Sequence, residues 1–334
     1  MVLKAFTFTA AAIGLGALLT GCTAQIRTDR AEATYPPIGE FVEVTGGRVH
    51  YVQQGAGPDV ILLHGAGGNL RDFTFSLMGQ LSDRYRVTAF DRPGLGYTDR
   101  APGVETGPFA TEGESPDQQV AMLREAAAAL DIEDPIVVGH SFGGIVAMAW
   151  ATTGLDQDRP TDASAVVSFA GVLMPWPGDL GAYYTVSGSA LGGAVAVPMV
   201  SAFVPRSRVD EAIANTFAPQ DPVPGYVDYI GGSLALRPVT FRANARQVNT
   251  LRPHVVEMTK LYPRLTLPIE IIHGTADDTV PISVHPEELI KIVPSANLTR
   301  LEGVGHQPHQ VNEEAAIAAI DRAAARAGAR PDES

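Results

Sequence analysis

The chain has 334 residues, with 24 Lys and Arg against 37 Asp and Glu and a formal net charge of −13. So acidic a balance argues against nucleic-acid binding, which needs a basic surface, and against polyanionic substrates. With 45% hydrophobic and 18% charged residues, the chain can bury a sizeable core and is too apolar for wholesale disorder.

The N-terminal stretch is unlike the rest. Lys4 precedes an apolar run over residues 5–20, interrupted only by small hydroxyl residues, and the run ends in Leu19-Thr20-Gly21-Cys22. Residues 1–21 have the make-up of a secretory signal and are set apart from the fold. They are too short and too near the start to read as a permanent membrane helix. Cys22 is the only cysteine, which excludes an intramolecular disulfide and a thiolate zinc site. Residues 22–37 are mostly polar and read as a tether.

Beyond it, residues 40–44 and 49–53 read as strands around a Gly46-Gly47 turn, a β-hairpin. Residues 60–63 form a continuous apolar strand. Residues 72–81 have helical spacing, 87–90 are the next strand, and 91–96 turn it. Residues 102–114 form a Gly/Pro/Glu loop of the kind found near a site mouth. Ser115 opens a helix, with Pro116 at its first position and Gln118 completing a capping box. Val120, Leu123, Ala127 and Leu130 are its buried stripe. Strands follow at 136–138 and 165–169, separated by a small, apolar helical stretch at 144–151. Continuous apolar strands alternating with helices imply a parallel sheet covered on both faces.

That alternation breaks over residues 174–264, which are rich in Gly and Pro, with helices expected near 207–216, 226–236 and 241–250. Tyr183, Tyr184, Met199, Phe203, Phe217, Tyr226, Tyr229 and Phe241 either line a pocket or form a small core of this segment. The apolar run 191–204 is not a membrane span, given Pro198 and its length. Strands resume at 269–272 and 297–301.

The chemistry concentrates at Gly139-His140-Ser141-Phe142-Gly143. An apolar strand precedes this G-x-S-x-G string and a helix follows it, the context of a nucleophile elbow. A side chain at Gly139 or Gly143 would clash with the neighbouring strand and helix. The turn lifts the Ser141 hydroxyl above the sheet, and the Phe142 N–H opens the helix facing a developing oxyanion. The similar Gly231-Gly232-Ser233-Leu234-Ala235 follows no apolar strand and reads as a loop or helix start. A serine nucleophile needs a base, and the base needs an orienting acid. Asp277 lies just past one late strand and His306 just past the next, so the two can meet above the sheet edge. Asp278 and His309 compete for these roles; Asp278 reads better as a turn residue and His309 as local support. His273 ends a strand, and His254 and His285 read as surface residues. No His or carboxylate cluster has metal-ligand spacing such as H-E-x-x-H, so no metal is expected.

These motifs, with His64-Gly65-Ala66-Gly67-Gly68, Asp91-Arg92-Pro93-Gly94-Leu95-Gly96, Gly274-Thr275-Ala276-Asp277 and Gly305-His306-Gln307-Pro308-His309, make residues 38–325 resemble the α/β-hydrolase superfamily. The resemblance implies an α/β fold, a mostly parallel eight-stranded sheet with helices on both faces. It places a core at 38–173 and 265–326, a helical cap at 174–264 inserted after strand 6, and a tail at 327–334. It implies Ser141 as nucleophile, His306 as general base and Asp277 as acid. The N–H groups of Ala66 and Phe142 would form the oxyanion hole, on a loop supported by His64, Gly65 and Gly67. It further implies a cofactor-independent serine hydrolase that cleaves esters of small or apolar substrates. C–C bond hydrolysis and cofactor-free haloperoxidase or perhydrolase chemistry share the same triad. Epoxide hydrolases and haloalkane dehalogenases place Asp where Ser141 stands. A non-catalytic envelope binding protein is the alternative of another class. The Leu19-Thr20-Gly21-Cys22 ending resembles the lipobox of bacterial lipoproteins. It implies cleavage before Cys22 and a lipid anchor on the periplasmic or outer-membrane side of the cell envelope.

Overall fold

The computed structural model describes residues 2–157 and 161–329. Eight strands form one sheet: β1 (Glu40–Val44), β2 (Gly47–Gln54), β3 (Asp59–Leu63), β4 (Arg86–Phe90), β5 (Ile136–His140), β6 (Ala165–Phe169), β7 (Ile269–Gly274) and β8 (Ala296–Leu301). Their spatial order is β1-β2-β4-β3-β5-β6-β7-β8. The β1–β2 and β2–β4 pairs are antiparallel and all others parallel. This is the mostly parallel eight-stranded sheet that the resemblance to the α/β-hydrolases implied.

Thirteen α-helices are described: α1 (Val2–Thr34), α2 (Arg71–Thr74), α3 (Leu77–Leu81), α4 (Pro116–Ala129), α5 (Phe142–Thr152), α6 (Gly181–Ser187), α7 (Val197–Phe203), α8 (Arg206–Asn215), α9 (Tyr226–Tyr229), α10 (Pro238–Thr259), α11 (Pro286–Ile292), α12 (Pro308–Val311) and α13 (Glu313–Ala327). β3, β5, β6 and β7 are buried at every position, as predominantly apolar strands covered on both faces are. The buried Glu270 of β7 is ion-paired with Arg322 and Arg326. Alternate residues feed opposite layers. Ile61, Leu63 and Val137 pack with α4 and α5 on one face. Val60, Leu62 and Val138 pack with α3 and α13 on the other. Ser115 and Gln118 form the expected capping box of α4.

Between β6 and β7 the chain leaves the sheet and forms α6 to α10. The structure corrects several expectations here and elsewhere. Residues 72–81 are two short helices, α2 and α3, parted at Ser76, whose φ −151° and ψ −55° are not helical. Residues 23–34 continue α1, so this polar segment is helical and packs on the cap. Ala24 and Ala31 are buried, Arg237 pairs with Glu32 at 2.9 Å, and Arg27 donates to the carbonyls of Ala202 and Val204. Helix α10 runs well past the expected 241–250 and carries Pro253 within it. The eight cap residues divide. Phe217, Tyr226 and Phe241 are buried, Tyr229 is half-buried, Tyr184 lines a cavity, and Tyr183, Met199 and Phe203 stand in solvent. Residues 330–334 of the expected tail lie outside the described residues, as do the side chains of residues 1–13.

Candidate active site

The C-terminal ends of β5, β7 and β8 converge on one point. Ser141 follows β5 at φ 53° and ψ −117°, a left-handed conformation that a non-glycine residue adopts only when its surroundings hold it there. Two backbone bonds do so: Ser141 N–H donates to the Phe169 carbonyl, and Val172 N–H donates to the Ser141 carbonyl, each at 3.0 Å. The glycines are sterically required. A Cβ at Gly139 would strike the backbone of Gly143, and one at Gly143 would strike the Leu63 carbonyl.

His306 lies in the loop after β8 and Asp277 in the loop after β7. His306 Nε2 is 2.9 Å from Ser141 Oγ, and its Nδ1 is 2.7 Å from Asp277 Oδ2. The other Asp277 oxygen accepts the N–H groups of Thr279 and Val280, each at 2.9 Å. Burial pushes the Asp277 pKa up. Hydrogen bonds from His273 and His306 and from the Val280 N–H outweigh this and hold it far below the usual carboxylate range. Burial lowers the His306 pKa below its ordinary value, against the pull of Asp277. His306 is therefore an unprotonated acceptor at neutral pH, with its Nδ1–H fixed by the carboxylate. His273 Nε2 donates to the Val280 carbonyl at 2.7 Å and buttresses the Asp277 loop. Asp278 is exposed, and His309 Nε2 meets Asp72 at 3.1 Å in place of Ser141.

The loop after β3 carries His64 to Gly68. Gly67, at φ +64°, gives its N–H to Asn244 Oδ1 at 2.6 Å, which leaves Ala66 as the loop residue lining the cavity with Ser141 and Phe142. His64 Nδ1 contacts the Gly65 carbonyl at 2.9 Å, and its Nε2 accepts the Arg92 N–H at 3.0 Å. Burial first, and Arg92 second, lower the His64 pKa to about 4, so it stays neutral. The fully buried Arg92 guanidinium donates to the carbonyls of His64 and Gly65 at 2.8 and 3.0 Å and to Gln119 at 2.7 Å. Its place in Asp91-Arg92-Pro93 was visible in the sequence; its clamp on this loop was not.

A second polar cluster sits directly behind His306. His140, the residue before Ser141, donates Nε2–H to the His306 carbonyl at 2.9 Å, and its Nδ1 stands 3.3 Å from Asp72 Oδ2. Asp72 Oδ1 also accepts Tyr226 O–H at 2.7 Å and Gln310 Nε2–H at 3.1 Å. Burial alone would raise the Asp72 pKa, but His309, His140 and their hydrogen bonds hold it well below the ordinary value. Among the described residues, Asp72, His140 and His309 are one group of potential metal-ligating side chains gathered in space. Residues so far apart in sequence carry no spacing signal, and their close approach here is that of a buried hydrogen-bonded cluster.

Ser141 opens on a cavity of about 450 Å³. Trp176, Leu180, Tyr184, Val248, Leu251, Val280 and Val284 give it apolar walls, and Asp179 and Asp278 add two carboxylates. His285, read from sequence as a surface residue, is 3% exposed and lines this cavity. Burial lowers its pKa to about 4, and its Nδ1 accepts the N–H groups of Leu173 and Met174 at 3.3 and 3.2 Å. Its partners lie more than a hundred positions away, so the sequence held no cue. His254 is exposed, as expected.

A parallel sheet with a strained serine elbow, a histidine and a carboxylate at its strand ends defines an α/β-hydrolase. Residues 60–320 match the model of the alpha/beta hydrolase family, and the chain belongs to that family. The uncharacterized protein Rv2715 of Mycobacterium tuberculosis is 27% identical over 281 residues, covering 82% of this chain and 77% of that protein. The enol-lactonase from Burkholderia xenovorans LB400 superposes with a TM-score of 0.64 at 16% identity, covering 86% of this chain and 100% of its own. A membrane phospholipase A described as a bacterial virulence factor superposes at 0.60 and 17% identity, covering 96% and 98%.

Proposed function

We propose that this hydrolase is a serine esterase cleaving carboxylic esters with apolar portions through an acyl-enzyme. The observation that carries the reading is the continuous line Ser141 Oγ, His306, Asp277, at 2.9 and 2.7 Å. Ser141 Oγ attacks the ester carbonyl carbon as its proton passes to His306 Nε2. Asp277, ionised and buried, stabilises the imidazolium. The Ala66 and Phe142 N–H groups hold the oxyanion, the latter at the first turn of α5, where no intrahelical partner exists. His306 returns the proton to the leaving alcohol. It then takes a proton from water, which attacks the acyl carbon and frees the acid and Ser141. The apolar walls favour hydrophobic acyl or alcohol groups, and the two carboxylates disfavour anionic esters. No step needs a cofactor.

The test is hydrolysis of a chain-length series of p-nitrophenyl esters by the wild type and Ser141→Ala. Loss of about a thousandfold or more in kcat is expected. A folded wild type that hydrolyses no ester and is not labelled at Ser141 by a fluorophosphonate refutes the reading and favours a binding protein. Fluorophosphonate labelling without ester turnover points instead to C–C or peracid chemistry.

We also propose that the chain is exported and held on the bacterial envelope through a lipid on Cys22. The Leu19-Thr20-Gly21-Cys22 string and the exposure of Cys22 support this. Mass spectrometry of membrane-extracted protein is expected to find residue 22 at the N terminus, carrying acyl chains. An unmodified Cys22 within an intact N-terminal segment overturns it.

A further inference from the structure

The large apolar side chains left in solvent are concentrated on one region. Leu15, Leu18, Leu19 and Ile26 stand out from α1, Tyr183 and Val186 from α6, and Leu191, Val195, Met199 and Phe203 from the stretch ending in α7. The last four recur every fourth residue, from 48% to 73% exposed, and so form one straight row along their helix. Leu15, Leu19 and Ile26 mark a comparable row on α1, of which Ile26 remains once the chain is cleaved before Cys22. The two helices adjoin, since Thr20 Oγ1 is 3.7 Å from Met199 Sδ and Arg27 bonds to the carbonyls of Ala202 and Val204. Single exposed leucines need no explanation, but the Leu191, Val195, Met199 and Phe203 row persists after cleavage and lies beside the helix that carries Cys22, a surface with a purpose.

The charge pattern matches the same surface. The chain contains 37 Asp and Glu, yet none between Met1 and Thr28 and none between Leu180 and Val209. These are the two stretches that pack together here. The charges within them are Lys4, Arg27, Arg206 and Arg208. Arg206 meets Asp210 and Asp228, and Arg208 meets Glu211, so the rim is charge-compensated rather than basic. An apolar face with no acidic residue of its own, beside the helix that carries Cys22, is what a lipid-anchored protein sets against the bilayer. Among the described residues no single helix is long and apolar enough to cross a membrane, and α6 and the stretch Gly192–Phe203 are bent by 88° to each other. Such a pair suits lying in an interface.

We propose that this face of the cap rests on the lipid bilayer, with Leu191, Val195, Met199 and Phe203 at the acyl boundary and Arg206 and Arg208 among the headgroups. This rests on the membrane attachment proposed above and adds an orientation to it: the anchored enzyme lies cap-down. Helix α6 then has two roles. Tyr184 on it, with Leu180 just ahead of it, belongs to the wall of the Ser141 cavity, while Tyr183 and Val186 stand on the exposed face. One helix separates the bilayer from the nucleophile, which makes membrane-dissolved esters the substrate class.

The test places a tryptophan reporter in the full chain, reconstituted into phosphatidylcholine–phosphatidylglycerol vesicles with brominated acyl chains. Val195→Trp and Leu191→Trp, both at exposed positions, are compared with Phe41→Trp on β1. All three are first checked for wild-type hydrolysis of a soluble ester. The expected result is quenching of the indole signal in the Val195→Trp and Leu191→Trp variants, several-fold beyond the wild-type background, with none added in Phe41→Trp. Vesicle flotation of the chain without that extra quenching overturns the cap-down orientation and leaves the anchor intact. A chain that does not float overturns the anchor, and the orientation with it. A concentration-dependent blue shift in lipid-free buffer, without quenching in vesicles, also overturns the proposal and assigns the face to a second copy.

Discussion

The two walls of the Ser141 cavity are built on opposite principles. On the sheet side, polar groups are buried, charged and anchored by several bonds each. Asp277, Asp72 and Arg92 all have partners from more than one segment. On the cap side, α10 brings Val248 and Leu251 to the wall from a well-buried helix, whereas α6, which brings Tyr184, buries only Ser187. The first wall is over-determined, as a reacting geometry must be. The α6 part of the second has few such anchors.

Substitutions should separate the walls by magnitude. Asp277→Asn removes the charge that orients His306 and is expected to lower kcat by about a thousandfold to ten-thousandfold, with secondary structure intact by circular dichroism. A tenfold loss or less would mean that another group orients the imidazole. Asp72→Ala strips a fully buried carboxylate from His140, His309 and Tyr226, and should cost about 3–5 kcal/mol in chemical denaturation. An unchanged midpoint would show that the cluster behind His306 contributes nothing to the fold. pH gives an intermediate effect. His64 and His285 have native pKa values of about 4 against an ordinary 6.5. Between those values the unfolded chain binds protons that the native chain refuses. Stability should therefore fall as pH drops from about 6.5 toward 4, by a few kcal/mol, and His285→Gln should flatten that slope. For activity, His306 must be unprotonated, so the acid limb of kcat/KM is expected below pH 6.5, because burial lowers its pKa. A limb at or above 6.5 contradicts that environment. The smallest effect belongs to the cap: Leu191→Ser should change stability by no more than about 0.5 kcal/mol. A loss of several kcal/mol would make that row part of the core.

The same contrast decides what was legible in the sequence. β3, β5, β6 and β7 announced themselves because strands buried on both faces are mostly apolar; the buried Glu270 of β7 is tolerated because Arg322 and Arg326 pair with it. Ser141 announced itself because a left-handed turn between strand and helix admits few sequences. Asp277 and His306 could be read because each closes a strand, so chain order alone brings them to the same edge. The cluster of Asp72, His140 and His309 could not, since its members come from three segments that meet only in the folded sheet. Nor could the burial of His285 or the clamp of Arg92, which depend on partners from remote loops. In the cap, periodicity indicated helices, but an apolar residue on a short helix faces core, cavity or solvent according to neighbours the sequence does not name. The helix over residues 23–34 was hidden for a related reason: a polar composition is compatible with a helix that buries only Ala24 and Ala31.

One contact has a mechanical consequence. His306 is gripped at both ends by consecutive residues, Ser141 at its ring and His140, the last of β5, at its backbone carbonyl, each at 2.9 Å. Ser141 and His306 lie 165 positions apart in the chain. Their spacing is nevertheless gauged across the single peptide unit that closes β5, like a jig that holds a part at two points. Strain carried through the intervening loops reaches both points together, so the sheet can flex without moving the reacting atoms out of register.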